Sequence, residues 1–111
     1  MPGDVYCVVP TFAPEPAVVD RIANLAGEYP VLAVDDASPC TSDPVLRQVE
    51  ATPNVEVKRH AVNVGIGRSL NSGLKVAGEA GCSWLLTIDQ DTEVPTGFIP
   101  RIVEAARLLR L

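Results

Sequence analysis

The sequence predicts an α/β domain in which helices cover both faces of an open, mainly parallel β-sheet. Short apolar runs alternate with segments of helical periodicity, and this alternation is typical of right-handed βαβ units. Hydrophobic residues make up 47% of the chain and aromatic residues only 5%. The predicted core is therefore aliphatic, as in a parallel sheet buried on both faces. The 111 residues are enough for one domain of ordinary size.

Two apolar runs separated by a helical segment open the predicted sheet. Residues 5–9 are continuously apolar and stop at Pro10, which predicts a buried first strand. Residues 15–28 carry apolar side chains at helical spacing, with Pro16 in the first turn, and predict a first helix. Residues 31–34 predict a second strand, which ends in an acidic pair.

The middle of the chain predicts a helix, an edge strand and a second helix. Asp43 and Pro44 suit an N-cap and a first turn, so a short helix is expected after them. Residues 55–58 alternate between apolar and polar, which predicts a strand at the edge of the sheet. The next helix follows Gly65 and Gly67. Its predicted buried face consists of Ile66, Leu70, Leu74 and Ala77.

The last part of the chain predicts one more strand and one more helix. Residues 83–88 form an apolar run that indicates a buried fourth strand, and they lead directly into Asp89-Gln90-Asp91. A helix then begins at about Gly97 and reaches the final residue without a stop signal. We therefore expect residues 1–111 to form one domain that is truncated at its C-terminus.

Charge and cysteine content narrow the possible partners and the compartment. A net charge of -5 with nine scattered Lys and Arg residues argues against nucleic acid as a partner. The three cysteines lack the spacing of a zinc site or a disulfide framework, so reduced thiols are expected. No signal-peptide pattern and no membrane span of about 20 apolar residues is evident. A soluble, cytoplasmic domain is expected.

Polar side chains gather at the carboxyl ends of the predicted strands. They are Thr11, Asp35, Asp36, Asp89 and Asp91. In open α/β sheets, ligands bind at that edge. Two carboxylates about 4 Å apart at an effective dielectric constant of ~20 repel each other by on the order of 4 kcal/mol, so such a cluster requires a cation or wide spacing. A divalent cation such as Mg²⁺ or Mn²⁺ is therefore predicted.

Two acidic motifs carry the predicted chemistry. Asp89-Gln90-Asp91 can direct two carboxylates to one side of the crevice, and such oxygen ligands suit Mg²⁺ or Mn²⁺ shared with a diphosphate. An isolated motif of this kind is more often a solvated turn, but its place after an apolar strand favours the metal site. Asp35-Asp36 can accept a hydrogen bond from the imide N–H of uracil or thymine, and an acidic turn cap is the alternative.

A glycine-rich segment, residues 63–73, begins the third predicted helix. Its free N–H groups can face an anion, although glycines that serve only close packing are an equal alternative. It is not a dinucleotide-binding fingerprint, because Leu70 stands where the third glycine is needed. His60 beside Lys58 and Arg59 is expected to be an exposed surface residue.

Four motifs in this order, residues 8–12, 34–38, 63–73 and 86–91, together resemble the family-2 inverting glycosyltransferases. The resemblance covers about residues 5–105, and the Asp-Gln-Asp form is most similar to rhamnosyltransferase-like members. It implies the GT-A fold with its Rossmann-like nucleotide-binding half. It also implies transfer of a sugar, with inversion, from a UDP- or dTDP-linked donor to a hydroxyl of a glycan or lipid-linked acceptor, in the cytoplasm or at the cytoplasmic face of the membrane.

The resemblance also implies roles for individual residues. The implied nucleotide-binding residues are Thr11, Phe12, Asp35, Asp36, Gly65, Gly67 and Asp89, and the implied metal ligands are Asp91 and Asp89. The general base is implied to lie beyond residue 111, so this chain alone is expected to bind the donor weakly and to transfer little or no sugar. Two residues depart from the family pattern: Ala13 replaces a frequent Asn, and Leu70 replaces a frequent Arg.

A receiver-like signalling domain with Asp89 as phosphoacceptor is the alternative from another class. The acidic pair after a strand and Pro95 downstream of Asp89 favour it. A receiver also needs a lysine after the acceptor, whereas the last lysine here is Lys75. A phosphatase with a D-x-D-x-T motif is a weaker alternative, because Glu93 occupies the threonine position.

Overall fold

The computed structural model describes residues 4–109, which form a four-stranded parallel sheet with helices on both faces. The strands are β1 (Val5–Thr11), β2 (Val31–Asp36), β3 (Val55–His60) and β4 (Trp84–Thr87). The helices are α1 (Ala17–Ala26), α2 (Asp43–Glu50), α3 (Ile66–Glu79) and α4 (Phe98–Leu108). The predicted fold class is confirmed.

Alternate side chains of the two central strands build two separate cores. On one face, Val5, Cys7 and Val9 of β1 pack with residues of α1, α2 and α4, including Ile22 and Ile99. On the other face, apolar side chains of β1 and β2 pack with Ala77 of α3. Because both faces are covered, both strands are continuously apolar, as expected for a buried parallel sheet.

The strand order β3-β2-β1-β4 indicates where along the carboxyl ends of the strands a ligand is expected to bind. From β1 the chain adds β2 and then β3 on one side, and it then crosses to place β4 on the other side of β1. Strand order therefore reverses between β1 and β4. In open α/β sheets, ligands bind in the crevice that such a reversal leaves at the carboxyl ends of the strands.

Of the four residues predicted for the buried face of α3, Ala77 is buried and Leu70 is half-buried, but the prediction is wrong for the other two. The helix places its small residues Ser69, Gly73 and Ala77 against the sheet, while Ile66 and Leu74 are 62% and 58% exposed. A Cβ added at Gly73 would lie 2.6 Å from Cγ2 of Val8, so the helix backbone sits directly on β1. Close approach of the backbones, which only small residues permit, outweighs burial of the larger apolar side chains.

Replacing Gly73 with alanine is expected to lower the free energy of unfolding by about 2 kcal/mol, because the new methyl group overpacks the contact with Val8. Gly78 lies in the same helix with open space around its Cα, so Gly78→Ala is the matched control. It should stabilise the domain by about 0.5–1 kcal/mol through helix propensity. Urea unfolding of both variants tests the pair, and equal effects of the same sign would contradict this packing.

β4 is less buried than its apolar sequence predicts. It forms an edge of the sheet with β1 as its neighbour, and its residues Trp84, Leu85 and Leu86 are only half-buried. The predicted edge position of β3 is confirmed. The three cysteines are free thiols, as expected. Across residues 4–109, the helices are too short or too polar for any of them to cross a lipid bilayer.

Candidate functional site

A cleft of about 350 Å³ opens at the carboxyl ends of the strands, where strand order reverses. We call it the strand-end cleft. Its lining residues are Pro10, Thr11, Phe12, Asp36, Ile66, Ser69, Asp89, Gln90, Asp91 and Thr92. The structure therefore brings residues from the ends of β1 and β2, the start of α3 and the segment after β4 to one place. Five of the predicted site residues, Thr11, Phe12, Asp36, Asp89 and Asp91, line this cleft.

Asp35 lies inside the protein and ties the ends of β1 and β2 together. Its side chain is fully buried, and Oδ1 accepts hydrogen bonds from Thr11 Oγ1 at 2.7 Å and from Ser38 Oγ at 2.6 Å. Oδ2 accepts a third hydrogen bond from the Ser38 N–H at 3.0 Å. Ser38 Oγ also accepts from the Ala13 N–H at 2.8 Å. Asp35 and the hydroxyl of Thr11 therefore hold together the loops that follow β1 and β2. Both groups are buried, so neither is accessible to a ligand.

The loops held by this network contain two residues in the left-handed region. Ala13 has φ of 44° and Ala37 has φ of 60°. For a residue with a Cβ this conformation costs roughly 1–2 kcal/mol, so it persists only where surrounding contacts enforce it. Here the hydrogen bond from the Ala13 N–H to Ser38 spans both loops. The departure from the family pattern at Ala13 thus falls on a position where asparagine would fit more easily.

Asp36 is half-buried, and its carboxylate fixes the chain that precedes α3. Oδ1 accepts the N–H of Val64 at 2.7 Å, and Oδ2 accepts the N–H of Gly65 at 3.0 Å. The hydrogen bond from Val64 is the main cause that lowers the pKa of Asp36; partial burial opposes it, and Gly65 and His60 lower it further. Asp36 is therefore ionised at neutral pH and acts only as an acceptor.

His60 is not the exposed surface residue that the sequence predicts. Its ring is 15% exposed; Nδ1 lies 3.7 Å from Asp36 Oδ1, and Nε2 lies 3.4 Å from Ser72 Oγ. β3 continues to His60, two residues beyond the predicted strand, so the side chain reaches the neighbouring end of β2. Alternation along β3 would place His60 with the exposed Glu56 and Lys58, so its burial follows from its pairing with Asp36 and could not be read from the pattern.

Gln90 lines the cleft, and sequence reasoning assigns it no role. Its Oε1 accepts the Phe12 N–H at 3.0 Å, and its Nε2 donates to the Phe12 carbonyl at 3.1 Å. Its own carbonyl accepts a longer hydrogen bond of 3.4 Å from Arg21. The central residue of the Asp-Gln-Asp motif is thus attached to the end of β1, and the two aspartates flank this attachment.

Asp89 and Asp91 are exposed and line the strand-end cleft. Within residues 4–109, no three His, Cys, Asp or Glu side chains lie close enough together to hold a metal ion by themselves. Two carboxylates with open coordination positions nevertheless fit Mg²⁺ or Mn²⁺, because these ions are commonly held by one or two carboxylates together with substrate phosphates. The donor set therefore suits a metal that arrives with a diphosphate.

Gly65 and Gly67 lie at the start of α3, outside the set of residues that line the cleft. Gly65 has φ of 86°, so glycine is required there to turn the chain into the helix. A Cβ added at Gly67 would meet no other atom within 4 Å, so packing does not demand a glycine at that position. The structure thus accounts for Gly65 by its backbone conformation.

The sequence of this chain matches known glycosyltransferases. Residues 6–109 match the family described as "Glycosyl transferase family 2". An undecaprenyl-phosphate mannosyltransferase of Micrococcus luteus is 30% identical over 107 residues, which are 93% of this chain and 44% of that protein. The chain thus spans less than half the length of this relative.

Solved structures share the fold. The crystal structure of S. aureus TarS 1-349 superposes with a TM-score of 0.72 at 22% identity and covers 94% of this chain and 32% of that one. The same protein in complex with UDP-GlcNAc gives a TM-score of 0.72 at 22% identity, with 94% of this chain and 31% of that chain covered. The family match over residues 6–109 favours the glycosyltransferase interpretation over the receiver and phosphatase alternatives. The chain belongs to glycosyl transferase family 2.

Proposed function

We propose that this chain forms the donor-binding part of a glycosyltransferase that moves a sugar from a nucleoside-diphosphate sugar to an acceptor hydroxyl, with inversion at the anomeric carbon. One observation carries the proposal: carboxylates from two different strand ends, Asp36 after β2 and Asp91 after β4, line a single cleft at the reversal of strand order. A nucleotide placed across that cleft would reach both.

In the proposed complex, the nucleoside lies toward β2 and the diphosphate toward β4. Asp36 accepts a hydrogen bond from the imide N–H of the pyrimidine, for which its ionised carboxylate is suited. The ring of Phe12 is 52% exposed at the cleft and supplies an apolar surface beside the base or ribose. Thr11 contributes indirectly, through its buried hydrogen bond to Asp35.

Asp91 and Asp89 are the proposed ligands of Mg²⁺ or Mn²⁺. When bound, such an ion stabilises the negative charge that develops on the leaving nucleoside diphosphate. The two side chains would hold the ion on the β4 side of the cleft, where the diphosphate is proposed to lie. An acidic general base would deprotonate the acceptor hydroxyl.

The donor is proposed from the acidic motif and from the structural neighbours, and the acceptor from the relative in Micrococcus luteus. The Asp-Gln-Asp motif favours a rhamnosyltransferase-like member with a UDP- or dTDP-linked donor. The Micrococcus luteus relative is named an undecaprenyl-phosphate mannosyltransferase, and this supports a lipid-linked acceptor. The TarS complexes with UDP-GlcNAc and UDP support a uridine diphosphate donor.

Calorimetric titration of the purified chain with UDP, with and without Mn²⁺, tests the proposal. Binding is expected in the presence of Mn²⁺ and should be at least tenfold weaker after the metal is chelated, a difference of about 1.4 kcal/mol. ADP serves as the control ligand, because its purine lacks the imide of uracil and should bind more weakly. Equal affinity for UDP with and without metal, or for ADP and UDP, would contradict the proposal.

A further inference from the structure

The side chain of Gln90 makes the hydrogen bonds to the end of β1 that a residue of a paired strand would make. In the parallel pairing of β1 with β4, alternate peptide groups of β1 face β4, and the last such contact runs from the Ile88 N–H to the carbonyl of Val8 at 2.9 Å. The next position on that side is Pro10, which has no N–H to donate. The pairing therefore ends, and the segment after β4 leaves the sheet.

The next peptide group on the same side belongs to Phe12, and the Gln90 side chain pairs with it. The amide of Gln90 accepts from the Phe12 N–H at 3.0 Å and donates to the Phe12 carbonyl at 3.1 Å. A primary amide reproduces both groups of a peptide, so this bridge restores the pairing that Pro10 interrupts. It joins two segments that are 78 residues apart in the chain.

The bridge connects the two halves of the strand-end cleft. On one side of it lies Phe12, whose ring is proposed to face the nucleoside. On the other side lie Asp89 and Asp91, the immediate neighbours of Gln90. If a ligand orders one side and thereby the bridge, the other side has less conformational entropy to lose when its own ligand binds.

From this arrangement, and resting on the proposed function, we propose that Gln90 is a positioning residue that couples nucleoside binding at Phe12 to metal binding at Asp89 and Asp91. Gln90 itself contacts neither the metal nor the reacting atoms. Its effect is a coupling free energy: metal strengthens nucleotide binding and nucleotide strengthens metal binding by the same factor. Loss of the bridge should lower that factor while each separate affinity is largely kept.

The test is the ratio of the UDP dissociation constants without and with Mn²⁺, measured for the wild-type chain and for Gln90→Met. Methionine keeps a side chain of similar length and loses both hydrogen bonds. The ratio is expected to fall by about fivefold or more, with UDP affinity in the absence of metal changed less than twofold. Gln48→Met on the exposed face of α2 is the matched control and should leave the ratio unchanged.

The outcomes separate this inference from the proposed function. An unchanged ratio in a folded Gln90→Met chain would overturn the coupling role and leave the proposed function intact. Absence of metal-dependent UDP binding in the wild-type chain would overturn both. If Gln90→Met does not fold, hydrogen exchange at the Phe12 amide of the wild-type chain decides: slower exchange is expected when Mn²⁺ and UDP are added together, and unaltered exchange would refute the coupling.

Discussion

Replacing Asp35 with alanine is expected to lower the free energy of unfolding by about 3 kcal/mol. The substitution removes the acceptor of three hydrogen bonds, from Thr11 Oγ1, Ser38 Oγ and the Ser38 N–H, in a fully buried place. Buried donors that lose their partner cost about 1–3 kcal/mol each, and partial rearrangement of Ser38 toward solvent limits the sum. Urea unfolding followed by circular dichroism measures the change.

Asp20 provides the control for this substitution. It is an exposed aspartate in the first turn of α1, so Asp20→Ala should change the free energy of unfolding by no more than about 0.5 kcal/mol. Asp35→Asn should fall between the two, because the amide keeps one acceptor oxygen. If Asp35→Ala were as stable as the wild type and lost only UDP affinity, Asp35 would be a ligand-binding residue. Its assigned role in holding the loops would then be wrong.

Replacing Asp91 with asparagine is expected to reduce Mn²⁺-dependent UDP binding by at least about tenfold, or ~1.4 kcal/mol, with little effect on stability. The side chain is exposed at the cleft, so its loss of charge removes a proposed metal ligand without disturbing a core contact. Binding of UDP in the absence of metal should stay within twofold of the wild type. Calorimetric titration with and without Mn²⁺ measures both quantities.

Glu79→Gln is the matched control for Asp91→Asn. This substitution also removes one negative charge, but from the exposed C-terminal end of α3, which lies toward the amino ends of the strands and away from the cleft. Metal-dependent binding should be unchanged in this variant. Equal losses in both variants would mean that net charge alone controls affinity, whereas no loss in Asp91→Asn would remove Asp91 from the metal site.

Much of the fold could be predicted, because the spacing of apolar residues along the chain indicates which faces of the strands and helices are buried. The runs of β1 and β2 are apolar on both faces, and the structure covers both faces with helices. The buried face predicted for α3 is right at Ala77 and wrong at Leu74. Hydrophobic periodicity favours a large apolar residue, whereas the helix backbone packs so closely on Val8 that only a small residue such as Gly73 fits there. β4 is apolar without being fully buried, since apolar residues alone do not distinguish a central strand from an edge strand.

The candidate site also has residues that could be predicted from the sequence and residues that could not. Strand ends followed by aspartates predicted that Asp36, Asp89 and Asp91 would share one cleft, and the structure places them there. The separation of Asp35 from that cleft could not be predicted, because adjacent residues of a strand point to opposite faces and the sequence does not show which is buried. The role of Gln90 depends on a hydrogen-bond pair across 78 residues, which no local pattern reports.

Anomalous diffraction from Mn²⁺ in crystals of this chain grown with UDP tests the central claim most directly. We predict one manganese peak within coordination distance of Asp91, bound to the diphosphate, with the uracil ring of the same nucleotide against Asp36. A manganese ion bound away from Asp89 and Asp91, or a nucleotide that reaches only one of the two strand ends, would contradict the claim.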